Sequence, residues 1–255
     1  MFVLCLLFAL CLARAQYLAG KFNMRAKWNG YGAIESIQNK TADAPMAYRV
    51  LIPWLIGKPT LAKYEAFQIA LITAALYSVY LAWGVPVMLV AGLLLTITFF
   101  YDYWDWTPEM IGLSLALVSF PAAMLGVVLH GMSRETAPLV GVAYALHSGD
   151  WLGGVVIAYA GFAVLWMVRK IQGKHPLYCD RWMITRNWKE LKAGKPASLI
   201  SVGVSALALV GAWTRIDGLV VPVLLVAGWT MAVSSETRVF SAVLPYAAAF
   251  LVGVM

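Results

Sequence analysis

The 255 residues are 62% hydrophobic and only 12% charged, with 11 Trp and a formal net charge of +7. A soluble domain carries charge on about a quarter of its residues, so this composition points away from one and predicts a polytopic helical membrane protein. Strict apolar/polar alternation is missing, which argues against a β-barrel. Cys5, Cys11 and Cys179 are odd in number and scattered, excluding a disulfide framework. The basic excess comes with no nucleic-acid-binding motif.

Residues 2–12 are apolar and end in Ala13-Arg14-Ala15-Gln16, like a signal peptide but without its basic n-region. The run is shorter than the roughly 20 residues a span needs, so a short or tilted, uncleaved first helix is expected. Residues 16–63 are mostly polar and carry Glu35 and Asp43. This loop closes with Tyr48-Arg49-Val50-Leu51-Ile52-Pro53-Trp54-Leu55, in which Arg49 heads an apolar segment too short to cross. Such a segment reads as interfacial or re-entrant. Spans are predicted at about 64–83 and 85–100, joined by the tight Gly84-Val85-Pro86.

Residues 101–109, Tyr-Asp-Tyr-Trp-Asp-Trp-Thr-Pro-Glu, interleave Asp102, Asp105 and Glu109 with four aromatic rings. Tyr and Trp favour the membrane–water interface. The stretch is either a solvated loop with aromatic anchors or one wall of a polar site facing the non-cytoplasmic side. Pro108 suits the first turn of a new helix, and the apolar run that follows breaks near Pro121. Arg134-Glu135-Thr136 is then a plain charge pair at a helix end or an ion pair lining a cavity. Residues 137–146 form a short apolar segment, His147-Ser148-Gly149-Asp150 a loop, and 151–168 a span.

Residues 169–198 hold Arg169, Lys170, Lys174, Arg181, Arg186, Lys189, Lys192 and Lys195 against Asp180 and Glu190. That is the strongest cytoplasmic signal in the chain. A short amphipathic helix around Trp182 and Trp188 is expected to lie on the membrane surface there, and such basic clusters bind anionic lipid. Apolar runs at 199–213, 219–233 and 239–255 follow, with Glu236 and Arg238 at the last junction. The total is about eight to nine apolar segments in one integral membrane domain, an all-α polytopic transmembrane bundle. With 169–198 cytoplasmic, 101–109 is expected on the opposite side, and the 16–63 loop external with it. Lys21, Arg25, Lys27, Lys40 and Arg49 in that loop then run against the positive-inside rule.

The segment at Tyr48-Arg49-Val50-Leu51-Ile52-Pro53-Trp54 resembles the Tyr-Arg-x-Leu-x-Pro-Leu segment of GT-C type membrane glycosyltransferases. Polyprenyl-phosphate-mannose-dependent mannosyltransferases and related uncharacterised bacterial membrane proteins show it most clearly. Asp102/Asp105, Arg134-Glu135-Thr136 and Glu236-Thr237-Arg238-Val239-Phe240 through Leu244-Pro245 follow in the family's order. The resemblance implies a GT-C-like, multi-pass protein of a bacterial inner membrane. It would transfer a sugar from a polyprenyl-phosphate donor at the non-cytoplasmic face. Glu35 or Asp43 would take the acceptor's proton. Tyr48 and Arg49, with Asp102, Asp105 and Glu109, would bind substrate, and the pairs Arg134/Glu135 and Glu236/Arg238 would hold helices together. No metal-ligand set is visible, and the cofactor stays unassigned, a divalent cation being one option. The implied partners are membrane lipid and a lipid-linked sugar donor, with no nucleic acid.

Two other classes stay open. An assembly or accessory subunit would use the aromatic loop and the small residues Gly153, Gly154 and Gly161 to pack against partners. A transporter would string the ion pairs along a path, usually with internal repeats, and no repeat is seen.

Overall fold

The computed structural model describes residues 1–18, 30–43, 46–97, 107–175, 188–189, 191–194, 199, 203, 206–207, 210 and 240–253. Asp102, Asp105, Glu236 and Arg238 lie outside the described residues, as do the 219–233 run, all of 176–187 and most of 199–213. The described elements are α1 (Phe2–Leu18), α2 (Gly30–Gln38), a 3-10 turn (Met46–Tyr48), α3 (Leu51–Ile56), α4 (Leu61–Trp83), α5 (Val85–Ile97), α6 (Thr107–Leu115), α7 (Phe120–Gly131), α8 (Leu139–Ser148), α9 (Trp151–Gln172) and α10 (Phe240–Val252). Every element among the described residues is helical.

Among the described residues, only α4, with 23 residues, and α9, with 22, are long and apolar enough to cross a membrane. At about 1.5 Å per residue they measure roughly 33–35 Å, against a hydrocarbon core of about 30 Å. The other described apolar segments form helices of 17 residues or fewer. Local chemistry sets the ends. The Thr60 side chain accepts from Lys63 N at the start of α4, and Gly84, at φ 84°, makes the turn into α5. Asp150 Oδ1 accepts from Gly153 N at 2.9 Å to cap α9.

The run after Pro108 is a hairpin rather than a span. Ser119 caps α7 by accepting from Ala122 N, with Pro121 in the first turn. α6 and α7 fold back on each other where Gly112 meets Gly126, each so close that an added Cβ would lie 3.0 Å from the other glycine's backbone. With 9 and 12 residues, the two arms reach about 14 and 18 Å, and neither crosses alone.

This hairpin returns the chain to the end it left, and that corrects the expected topology. α8 runs away from that end and α9 runs back, so the end of α9 meets the 16–63 loop. Lys40 Nζ donates to Ile171 O at 3.2 Å, and Tyr48 OH to Gly173 O at 3.3 Å. Val168 of α9 shares a buried cluster with Ile34, Ile37, Val50, Ile52 and Tyr64. The first loop and the start of the basic segment therefore lie at one end, not at opposite faces. Lys40, Arg49, Lys58, Lys63, Arg169, Lys170 and Lys174 gather there, an arrangement that in a membrane would put these cations on one side, as the positive-inside rule requires. The opposite end holds Asp150 and His147 among the described residues.

Single cysteines at Thr41 and Lys174, in a background without Cys5, Cys11 and Cys179, should label from one side of the membrane, and one at His147 from the other. Labelling of Thr41 and Lys174 from opposite sides would refute this arrangement.

The main core joins α1, α4, α5, α6, α7, α8 and α10 through residues such as Ile72, Leu76, Met88, Met110 and Tyr246. On α9, Leu152 (77%), Tyr159 (76%) and Trp166 (65%) stay exposed, so its outer face is an unbroken apolar strip.

Candidate functional site

The site grows from the mouth of the α6–α7 hairpin. Glu109 stands in the first turn of α6, where the positive end of the helix dipole favours a carboxylate. It is 1% exposed, and a buried carboxylate needs partners to remain ionised. Three converge on it. Thr136 Oγ1 donates to Glu109 Oε1 at 2.5 Å, His130 Nε2 lies 3.6 Å from the same oxygen, and Arg134 Nε lies 3.9 Å from Oε2.

The hydroxyl fixes the imidazole tautomer. Thr136 has one proton and gives it to Glu109, so His130 Nε2 must donate across its 2.8 Å contact to Thr136 Oγ1. His130 Nδ1 is then turned toward Gly112, where an added Cβ would lie 3.0 Å from it. Among the described residues Nδ1 has no hydrogen-bond partner.

Two backbone bonds tie the first loop to this cluster. Val50 N and Leu51 N donate to Met132 O at 2.8 and 3.0 Å, satisfying a carbonyl at the C-terminus of α7. Arg134 N donates to His130 O at 2.7 Å within the same turn. Arg49, 3% exposed, thus sits on a segment bonded directly to the turn that carries Arg134.

The expected site residues are distributed as follows. Arg49, Glu109 and Arg134 are buried at this end. Tyr48 and Asp43 are half-buried on the first loop, and Ala47 N donates to Asp43 O. Glu35 is exposed on α2, whose opposite side buries Ile34 and Ile37. Arg134 does not pair with its neighbour as expected. It faces Glu109, because consecutive residues of a helical turn point apart, and half-buried Glu135 makes no ion pair among the described residues. Glu109 is accordingly a member of a buried cluster and not an open wall. Among the described residues no group of His, Cys, Asp and Glu could hold a metal ion.

His130 and Thr136 were not singled out from the sequence as site residues. An ionisable side chain inside the apolar 122–132 run is the signal that marks His130. Nothing local marks Thr136, which meets Glu109 across 27 residues. The glycines expected to receive partners are already in use. Gly154 takes α8 at Gly141 and Ala145, and Gly161 takes Val127 and Pro138. Comparison with known proteins finds no matching family model, curated protein or solved structure.

Proposed function

We propose that this is a multi-pass membrane protein of the GT-C-like kind, which binds the phosphate of a lipid-linked donor at the end carrying Arg49. There it transfers the donor's sugar to an acceptor hydroxyl. One observation carries the reading: Arg49 and Arg134 sit on two segments joined by hydrogen bonds to Met132 O, at the mouth of a hairpin too short to cross a bilayer. This supports guanidinium groups near the depth of lipid phosphates, and the guanidinium fork suits phosphate oxygens.

In the step itself, the acceptor oxygen attacks the sugar's anomeric carbon, and the bond from that carbon to the phosphate oxygen breaks. The phosphate leaves with the electron pair, its growing charge met by Arg49. The acceptor's proton passes to a carboxylate. Asp43 is the better placed of the two first-loop acids, since Ala47 N donates to its carbonyl and ties it to the turn that ends at Tyr48, next to Arg49, whereas Glu35 is on the exposed side of α2. Glu109 stays with Arg134 and holds the hairpin mouth. The charge distribution supports a cytoplasmic-facing site, which moves the reaction from the non-cytoplasmic face that the resemblance implies.

A second reading has its own support. Glu109 and His130 are 1% and 0% exposed and bonded to each other's partners, as befits a brace in an accessory subunit without catalysis.

Transfer from a polyprenyl-phosphate sugar in proteoliposomes separates the two. Arg49→Ala is expected to cut the rate by about 10²–10³-fold, the range for removing one preorganised charge-stabilising donor. Asp43→Asn should cost about 10²–10⁴-fold, as expected for loss of a general base. Transfer at the unaltered rate in both variants, or none by the parent protein, leaves the accessory reading.

A further inference from the structure

Where the first loop docks on α9, Tyr48 stands in a collar of basic groups. Arg169 Cζ lies 5.6 Å from the centre of its ring, and the His175 ring meets it edge-on at 5.9 Å. The Tyr48 hydroxyl donates to Gly173 O, and Lys40 Nζ donates to Ile171 O in the same final turn. Lys174 is exposed beside them.

The charges here are not balanced. Neither Lys40 nor Arg169 makes an ion pair with a carboxylate among the described residues. The C-terminus of α9 offers only about half a negative charge, against two full positive ones. Each group has donors left over. The Lys40 ammonium has three and gives one to Ile171 O, and Arg169 stacks on the ring with its guanidinium edge uncommitted.

Lys40 holds φ at 55° because it closes the C-terminus of α2, where Lys40 N donates to Ile37 O and Thr41 N to Ser36 O.

The surroundings name the ligand. The collar lies just past the last apolar turn of α9, whose Trp166 carries Lys170 Nζ over its ring at 4.9 Å. Tryptophan with lysine at the end of a spanning helix marks the headgroup layer. We propose that Lys40 and Arg169, framed by Tyr48, form a binding site for the phosphate of an anionic membrane lipid. The proposal rests on the membrane reading above but not on sugar transfer. It is separate from the Arg49 site, which belongs to the α7 end.

The test uses the full chain in neutral detergent, titrated with phosphatidylglycerol, phosphatidylcholine or inorganic phosphate, with bound lipid counted by native mass spectrometry. Phosphatidylglycerol should bind at least tenfold more tightly than phosphatidylcholine. Lys40→Gln with Arg169→Gln should weaken it about thirtyfold, as expected for two basic groups near a membrane surface. His147→Gln, exposed at the opposite end of the helices, should change nothing. Unfolding without lipid checks that the variants are folded, and sugar transfer, assayed separately, tests the Arg49 site on its own. Equal binding of the two lipids, or unaltered binding in the Lys40/Arg169 variant, overturns the site. Inorganic phosphate binding as tightly as phosphatidylglycerol, with the same loss in the variant, overturns the lipid assignment in favour of a soluble anion.

Discussion

Glu109→Gln should lower the stability of the folded protein by about 3–5 kcal/mol, the cost of breaking one partner of a buried ion pair. The amide can still accept from Thr136, so the loss comes from the charge rather than the hydrogen bond. Arg134, 5% exposed, would lose the carboxylate that its Nε faces at 3.9 Å. The second substitution supplies the control. Glu109→Gln with Arg134→Met removes both charges, and a buried pair replaced by apolar groups is often neutral or better. Most of the lost stability should therefore return in the double variant. Thermal and denaturant unfolding in detergent of the parent, both single variants and the double variant give the coupling energy directly. A Glu109→Gln protein as stable as the parent would show that the cluster does not brace the hairpin.

Gly141→Val should damage the fold as severely through packing alone. A Cβ at Gly141 would press on Gly154 O and Ala158 N of α9, closer than such atoms approach in real structures, and both are backbone atoms inside a helix. A flexible side chain could swing aside, but these groups move only if α8 and α9 separate. Overpacking against movable side chains costs about 1–3 kcal/mol, so rigid neighbours should take the cost to the top of that range or past it. Gly149→Ala, in the turn between the same helices, makes the comparison. Its Cβ would meet nothing within 4 Å, and only its φ of 74° resists. Its cost should be about 1–2 kcal/mol, the price of the left-handed conformation for an L side chain. Equal losses at the two glycines would mean that α8 and α9 are not held at this close approach.

The local signals in the chain were sound where the physics was local. Helical class, the turn at Gly84, the helix start at Pro108 and the break near Pro121 all follow from residue types and their immediate neighbours; of the expected loop at His147–Asp150, His147 and Ser148 instead close α8, and Gly149 and Asp150 alone lie between the helices. The sequence likewise marked Arg49, Glu109 and Arg134 as charged residues set in or beside apolar segments, where charge needs a reason.

What it did not contain was parity and pairing. Whether residues 110–132 cross the bilayer or turn back depends on whether Gly112 and Gly126 let two short helices touch, a contact between distant positions. That one contact reverses the direction of everything after it, and so brings Lys40 and Tyr48 to Ile171 and Gly173. Pairing is non-local for the same reason. Adjacency suggested Arg134 with Glu135, but helical geometry points neighbours apart, and Glu109 arrives from another helix. His130 and Thr136 join only then, because a buried carboxylate is stable where several partners converge, and only the folded hairpin makes them converge.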